Sequence, residues 1–404
     1  MQKKLRTAAL AAGFTIVLAT PLAHAGLFGK SAPDPITLDA AATPARVAAA
    51  FESAKPGLLA GSNKVVIGNM RIVVVTEAVG RGTTAPGFAN PERGTASITA
   101  HYSLRNLPPE MLQSMADRAR ISLEASLQAA GYEVLPASSA QGRAGSAALS
   151  DKAPLQSVQL ISTEAGDSLA LMVTPSGLPV KLPMGASAKD PQGKDIAGML
   201  ETGTKVASLA GSTGLLGKAS GSLGRFGGMA TRAMGAVKTV QTVGSGFSSM
   251  GDASARLALA REIGASILDV TYTLTFADIQ ASKAARFVGN DTASVNATFQ
   301  PALVQGTSKI FVTTPTTTAQ LTLKQPLVMQ GAALSSVRKT TTKGDIAGNV
   351  TGAVLSGLIA MQYGGGMHTS QTLRREVDAT EQYGDVVASN LAVVNQGVVE
   401  LLKR

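Results

Sequence analysis

The sequence predicts an α+β fold of sheet-and-helix layers, interrupted by Gly-rich insertions that are partly helical or disordered. Three observations predict it: two groups of strand-like runs, one strongly amphipathic helix, and two Gly-rich tracts that show neither the alternation of a strand nor the three- and four-residue steps of a helix. The predicted order is a signal peptide at 1–25, a linker at 26–62, a first α+β block at 63–183, a Gly-rich low-acid insertion at 184–252, a second β-rich block at 253–343, an uncharged Gly-rich apolar segment at 344–366 and a C-terminal amphipathic helix at 367–404.

Composition excludes several classes of protein. The 404 residues contain no Cys, which excludes disulfide scaffolds, thiolate metal sites and cysteine catalysis. Lys and Arg number 36 against 26 Asp and Glu, but the basic residues are dispersed and aromatic residues are only 4% of the chain. Nucleic-acid binding domains usually cluster basic and aromatic side chains, so no nucleic-acid partner is expected. Mild basicity suits an anionic surface instead.

The first 25 residues have the three parts of a secretory signal peptide. Lys3, Lys4 and Arg6 precede an apolar stretch, and Ala23-His24-Ala25 forms a small-x-small cleavage site. An uncleaved membrane anchor is the alternative, but the apolar stretch is shorter than the roughly 20 residues that a spanning helix needs. We expect cleavage after Ala25 and export, so that the mature protein is periplasmic or associated with the outer membrane.

The first block contains the clearest local patterns. Val65–Val75 is mostly apolar and β-branched, as in a strand buried on both faces. The Gly- and Pro-containing stretch Glu77–Gly94 predicts a loop, and Ala96–Leu104 alternates apolar and polar residues as a strand does. Pro109–Ala130 has apolar residues at three- and four-residue steps, which predicts a helix. A further strand is expected at Tyr132–Leu135.

This order of strand, helix and strand resembles the α/β unit of the curli-secretion-channel class. The resemblance covers less than a quarter of the chain, from Val65 to Leu135. It implies an α/β layer in this region and nothing about site residues, because the lipid-bearing cysteine of that class is absent here.

Further along, strands again predominate. Leu155–Thr163 and Ser168–Thr174 predict a hairpin, and Leu268–Phe276 alternates apolar and polar residues more regularly than any other run. Thr372–Lys403 predicts a long amphipathic helix, and a short helix is expected at Thr43–Ala54 within the linker. Three shorter strands complete the second block, at Val295–Val304, Lys309–Thr313 and Gln320–Lys324.

The two Gly-rich tracts are also poor in negative charge. Between Ile196 and Met250 there are five Lys or Arg residues and the single acid Glu201, and small residues recur at four-residue steps. Ile346–Thr372 contains no charged residue. A flexible insertion is one interpretation of the first tract, and a helical segment that docks on a membrane or a partner is the other. For the second, a buried helix and a membrane-dipping hairpin are both open.

Three short motifs imitate functional signatures and fail on their context. Gly80–Ala85 matches a dinucleotide fingerprint, but Pro86 follows where a helix should begin, so a turn is expected. Gly211–Ala219 imitates a phosphate loop with the wrong spacing and with Ala at the hydroxyl position. Ser336–Lys339 matches Ser-x-x-Lys but lacks the companion motifs of penicillin-binding enzymes.

The remaining titratable residues form no recognisable constellation. After cleavage only His101 and His368 remain, and Glu381 and Asp385 lie one helical turn apart on a face that we expect to be solvated. We assign no catalytic, cofactor-binding or metal-binding residue and no cofactor. The sequence favours a non-catalytic envelope protein whose Gly-rich segments dock on the envelope membrane or another envelope protein, or mediate homo-oligomerisation. A secreted hydrolase with an unrecognised site is the alternative.

Overall fold

The computed structural model describes residues 33–39, 41–53, 57–59, 61–84, 96–151, 155–163, 166–183, 186–188, 250–281, 293–340 and 369–403. All of these residues belong to one compact unit, and they form an α+β fold with mixed sheets.

Four α-helices and sixteen strands make up this part of the chain. The helices are α1 (Pro44–Ala49), α2 (Pro109–Ala129), α3 (Met250–Ile263) and α4 (Tyr383–Lys403). The strands are β1 (Ile36–Leu38), β2 (Phe51–Ser53), β3 (Lys64–Val75), β4 (Glu77–Thr83), β5 (Ala96–Arg105), β6 (Glu133–Leu135), β7 (Val158–Thr163), β8 (Gly166–Val173), β9 (Ala186–Ala188), β10 (Ser266–Ala281), β11 (Val295–Leu303), β12 (Lys309–Thr313), β13 (Thr318–Leu323), β14 (Leu327–Met329), β15 (Leu334–Lys339) and β16 (Thr369–Ala379).

The larger sheet, sheet A, is built around the parallel pair β3 and β10. Its main path runs β1-β14-β11-β10-β3-β8-β7-β9, while β12, β13 and β2 extend from the first half of β10 and β6 pairs with the start of β3. A β-bulge at Gly68 offsets the register of β3 by one residue against β10. Because of that offset, Asn69 and Arg71 share a sheet face with Asp269 and Thr271.

The smaller sheet, sheet B, has the order β15-β16-β5-β4. It joins sheet A where the chain passes directly from β3 into β4 through Thr76. The backbone and hydroxyl of Thr76 both donate to the carbonyl of Leu169, and its own carbonyl accepts from Leu104 N. Thr76 therefore fixes the corner between the two sheets.

The main hydrophobic core lies on the face of sheet A that α2 and α4 cover, the helix face. The predicted stripe of α2, which includes Leu112 and Leu123, is fully buried there. Sheet B adds its inner residues to the same core, and Tyr102 packs edge-on against Phe299 of β11 with ring centroids 5.5 Å apart.

The opposite face of sheet A, the polar face, is covered by α3 and by the 3₁₀ helices 137–140 and 146–149. Neighbouring residues of β10 show the division. Leu268 belongs to the main core, whereas Ile267 packs in a separate small cluster with Leu149 and Leu259. Side chains alternate between faces along a strand, so Asp269 also points to the polar face.

The strongest sequence patterns are confirmed. The strand predicted at Val65–Val75 is β3, that at Ala96–Leu104 is β5, and that at Leu268–Phe276 lies within β10. The helix predicted at Pro109–Ala130 is α2. Each of these segments has a local signal in its own sequence: a continuous apolar run for β3, alternation for β5 and β10, and helical spacing for α2.

The loop predicted at Glu77–Gly94 was wrong in its first half, because Glu77–Thr83 forms β4. Gly80 lies inside this strand, where a Cβ atom would come within 2.5 Å of Ile279 Cγ2 and 2.6 Å of Val295 Cγ1. Glycine is therefore required by the close approach of the two sheets and does not mark a turn.

The long helix predicted at Thr372–Lys403 was wrong in its first part. Thr369–Ala379 forms β16, and α4 begins only at Tyr383. In β16 the buried residues Val377 and Ala379 alternate with charged ones, and the strand pairs in parallel with β5 over its whole length. Pairing with a strand more than 250 residues earlier in the sequence overrides the local helical pattern.

Two predictions about the organisation of the chain also differ from the structure. Residues 33–53, placed in a linker by their composition, contribute β1 and β2 to sheet A. The short helix predicted there at Thr43–Ala54 is α1, which ends at Ala49, and Phe51–Ser53 forms β2. Strands β3 and β10, placed in two separate blocks, are neighbours in one sheet. The tracts 196–249 and 344–366 lie outside the described residues.

Candidate functional site

The densest group of buried charges lies on the polar face of sheet A, beneath α3. Arg256 of α3 forms an ion pair with Asp269 of β10, and both side chains are only 1% exposed. Asp269 lies in the first half of β10, where the residues on both faces of the strand are buried. A buried charge pair of this kind is tolerated only where each partner compensates the other.

A second ion pair adjoins the first. Lys181 Nζ lies 2.8 Å from Asp252 Oδ2 and donates to the Ala148 carbonyl at 2.7 Å. Arg256 Nη2 donates to the same carbonyl at 2.9 Å. The Ala148 carbonyl therefore links the two pairs, and it lies in the 3₁₀ helix 146–149.

Arg71 of β3 ties the loop after β8 to the sheet. Its guanidinium donates to Thr271 Oγ1 and to the carbonyls of Lys181 and Leu182, each at 3.1 Å. Burial, partly offset by the charge of Asp151, lowers the pKa of Arg71 to about 10. Asp151 in turn accepts from Leu182 N at 2.8 Å.

Burial, and to a smaller extent the charge of Arg71, lower the pKa of Arg256 to about 10, and the charge of Asp252 offsets part of this effect. The buried charge cluster therefore comprises three cations and three anions: Arg71, Lys181, Arg256, Asp151, Asp252 and Asp269. Its members hydrogen-bond to one another, to backbone carbonyls, to the backbone N–H of Leu182 and to the hydroxyl of Thr271. The arrangement ties α3 and two loops to the sheet, and it does not present a nucleophile beside a base.

A pocket of about 200 Å³ is lined by Gly68 of β3 and by residues of the 3₁₀-helical segments, including Gln141, Ser146 and Ser150. Asn69, which follows Gly68 on β3, donates from Nδ2 to the carbonyls of two lining residues, Leu149 and Pro179, at 2.9 and 2.8 Å. The lining is neutral, with hydroxyls, one amide and apolar groups. It can hold a small uncharged molecule or water, but supplies no charged group for catalysis.

The structure separates the residues that imitate functional motifs. Gly80 and Gly82 lie within β4, so no helix N-terminus follows them. Ser336 and Lys339 lie on the exposed strand β15, where neither side chain is enclosed in a pocket. Gly211–Ala219 lies outside the described residues.

The titratable residues named from the sequence do not converge either. His101 lies on β5, where it pairs with Val79 of β4 and Arg374 of β16. Its side chain is on the opposite face of sheet B from that of the buried Tyr102. Asp385 on α4 forms an exposed ion pair with Arg118 of α2, and Glu381 precedes α4. His368 lies outside the described residues.

Sequence reasoning missed Arg256 and Asp269. The alternation along Leu268–Phe276 places Asp269 among the polar residues of a strand but does not show that this side of the strand is buried. The one available signal was Arg256 itself, a basic residue within the Ala- and Leu-rich run 253–260. A lone basic residue in an apolar run does not identify its partner.

Across the ranges that the structure describes, no three His, Asp or Glu side chains group as a metal site. None of the described helices combines the length and the apolar character that crossing a membrane requires. Comparison with protein-family models, with curated proteins and with solved structures found no match.

Proposed function

We propose that this chain is a non-catalytic, exported envelope protein whose α+β body carries Gly-rich segments that dock on an anionic membrane surface. The segments are 196–250 and 344–366. The first supplies positive charge, and the second supplies an uncharged apolar stretch. This combination of basic and apolar segments is typical of proteins that attach to an anionic bilayer without spanning it.

The observation that carries the proposal is the division of charge along the chain. The full sequence has 36 basic and 26 acidic side chains. Lys3, Lys4 and Arg6 precede Gly26, so the chain from Gly26 onward has 33 basic and 26 acidic side chains. The described residues include eighteen of the basic and nineteen of the acidic ones. Fifteen basic and seven acidic residues therefore lie elsewhere, so the whole positive surplus is outside the described body.

The charges of the body support the same proposal because many of them pair with one another. Besides the buried charge cluster, Arg105 pairs with Glu376 at 2.8 Å across sheet B, and Arg120 pairs with Glu124 at 2.7 Å on α2. A nearly neutral body of paired charges has little long-range attraction for an anionic surface. The attraction then depends on the residues outside it.

Vesicle flotation tests the proposal directly. The chain from Gly26 would be mixed with phosphatidylglycerol-containing vesicles and, separately, with phosphatidylcholine vesicles. One variant replaces the five basic residues of the first segment by Gln. The matched control replaces five exposed basic residues of the body by Gln. The two sets are Lys205, Lys218, Arg225, Arg232 and Lys238, and Arg46, Lys64, Arg81, Lys324 and Lys339.

We expect the wild type and the control to float with anionic vesicles, and the segment variant to lose binding. Each basic residue near an anionic bilayer contributes about 1 kcal/mol to the free energy of binding. Removing five of them should therefore lower partitioning onto the vesicles by about a hundredfold or more. Equal binding of both variants would contradict the proposal. Binding of the wild type to phosphatidylcholine vesicles but not to phosphatidylglycerol-containing vesicles would also contradict it. A wild type that stays monomeric and binds neither kind of vesicle would do the same.

A further inference from the structure

Strand β15 forms a free edge of sheet B. Among the described strands it pairs with β16 alone, and residues 335–339 are all exposed. Val337 is 41% exposed and is one of two exposed large apolar side chains in the part of the chain that the structure describes. An uncovered edge of this kind can pair with a further strand.

The backbone of β15 offers hydrogen-bonding groups at this edge. Thr340 N donates to the Arg374 carbonyl at 3.0 Å, so Thr340 belongs to a hydrogen-bonded pair with β16, and so does Arg338 two residues earlier. Val337 and Lys339, on either side of Arg338, belong to non-hydrogen-bonded pairs. Their N–H and C=O groups therefore point away from β16, toward any strand that lies beside β15.

A row of hydrogen-bond donors, the donor row, crosses sheet B beside this edge. Lys339 of β15 pairs in register with Arg375 of β16, and Arg375 pairs with Tyr102 of β5. All three side chains lie on the face from which Tyr102 packs against Phe299. Within the described ranges, Lys339 and Arg375 have no ion-pair partner, and the hydroxyl of Tyr102 has no hydrogen bond although that residue is only 1% exposed. Like charges directly opposite on paired strands are destabilising, so the donor row lacks an acceptor.

The surroundings of the donor row favour a carboxylate. Burial raises the pKa of the Tyr102 hydroxyl, and the charge of Arg375 offsets part of this effect, so the two groups interact. The neighbouring rows on the same face are apolar, and they consist of Val337, Val377 and Leu104 on one side and of Leu373 and Ala100 on the other. An anion beside Lys339 would accept charge-assisted hydrogen bonds next to apolar side chains.

We propose that the free edge of β15 docks an extended polypeptide strand that carries an acidic side chain, with the acid beside Lys339 and an apolar residue beside Val337. The added strand continues the backbone ladder, its acid compensates the donor row, and its apolar residue covers Val337. These two residues lie two positions apart, because alternate residues of a strand share a face. A free anion would meet only the charge, and β15 of a second copy contains no acid.

Fluorescence anisotropy tests the inference on the full chain from Gly26. The probe is a labelled, end-blocked peptide, Thr-Val-Thr-Glu-Thr-Val-Thr, which has Val two positions from Glu in both directions. Comparison peptides replace Glu by Gln, replace Glu by Lys, or replace the two Thr beside Glu by Pro. The Pro peptide keeps the charge but cannot donate those backbone hydrogen bonds to a neighbouring strand.

We expect the Glu peptide to bind, and the Gln peptide to bind about tenfold more weakly because it loses a charge-assisted hydrogen bond. The Lys and Pro peptides should not bind. Equal affinity for the Glu and Gln peptides, equal affinity for the Glu and Pro peptides, or no binding of the Glu peptide would overturn the inference.

Two charge-reversal variants test the position of the site. Lys339→Glu places an acid opposite Arg375, so we expect it to abolish the preference for the Glu peptide and to raise the unfolding midpoint. Arg46→Glu, on the exposed surface of α1, changes the net charge equally and should keep the preference. Equal binding of the Glu peptide by both variants would refute the assignment to β15.

Sedimentation velocity of the chain without peptide covers the remaining occupant. Self-association that Val337→Lys abolishes would make a second copy the occupant of the edge and would overturn the inference, whereas we expect no association through β15. The inference goes beyond membrane attachment and does not depend on it, because Lys339 belongs to the control set in the vesicle experiment. Loss of either proposal therefore leaves the other standing.

Discussion

The hydroxyl of Tyr272 on β10 donates a hydrogen bond of 2.7 Å to Asn395 Oδ1 on α4. The amide nitrogen of Asn395 then donates to α2, to the Ala119 carbonyl at 2.9 Å and to Ser122 Oγ at 2.6 Å. Tyr272 and Asn395 are both fully buried. One amide side chain therefore joins sheet A, α2 and α4 inside the main core.

Replacing this amide should destabilise the whole fold. In Asn395→Ala the Tyr272 hydroxyl is left buried without an acceptor, so we expect a loss of about 2–3 kcal/mol in the free energy of unfolding. Denaturant titration measures this loss. The control is Gln396→Ala, at the exposed neighbouring residue, whose free energy of unfolding should stay within about 0.5 kcal/mol of the wild type. Adding Tyr272→Phe to Asn395→Ala should recover part of the loss. Strictly additive costs would show that the bond is energetically unimportant.

Alkaline stability should depend on the buried phenols. Burial strongly raises the pKa of Tyr272 and of Tyr383 above the usual 10.0. Above pH 10 the unfolded chain releases these protons and the folded chain retains them, so the phenols' stabilising contribution is lost as pH rises. Arg71 and Arg256, with pKa values of about 10, act in the opposite direction. Comparison of the wild type with Tyr272→Phe isolates the phenol.

Phenolate absorbance gives the readout, since the chain has five Tyr and no Trp. We expect a late absorbance step that coincides with the loss of far-ultraviolet circular dichroism, and a flatter decline of stability with pH in Tyr272→Phe. Titration of every phenol near pH 10 with the fold intact would contradict the assignment of Tyr272 to a closed core.

The contact at Gly80 predicts a steric effect where the two sheets meet. Gly80→Ala places a methyl group within 2.6 Å of both Ile279 and Val295, so we expect a loss of about 1–3 kcal/mol from overpacking. Ile279→Ala creates the space, and the double variant should be more stable than the sum of the two single losses implies. Unfolding titrations of the four proteins decide it. An unaffected Gly80→Ala would mean that the sheets separate easily there.

The sequence predicts those parts of the fold that have their own period. Helix α2 and strands β5 and β10 follow from the spacing of their apolar residues, and β3 follows from its continuous apolar, β-branched run. Strand β4 was missed because Gly80 and Gly82 imitate a loop, although Gly80 is required by contact with β10 and β11. Likewise, β16 carries Arg374, Arg375 and Glu376 in a pattern that local spacing assigns to a helix.

The buried charge cluster could not be predicted, because it depends on contacts between distant segments. Arg71 and Thr271 are 200 residues apart in sequence, and the parallel pairing of β3 with β10 brings them together. The bulge at Gly68 decides which face Asn69 and Arg71 occupy, and no local pattern reveals it. The structure buries this part of the polar face beneath α3.

Cell fractionation tests the central claim most directly, with the wild type compared with a variant that lacks both 196–250 and 344–366. The claim predicts that the wild type sediments with envelope membranes and that the deletion variant is recovered in the soluble envelope fraction, with α2 and α4 still protected from hydrogen exchange. Recovery of both proteins as soluble monomers would contradict it, as would membrane association of both.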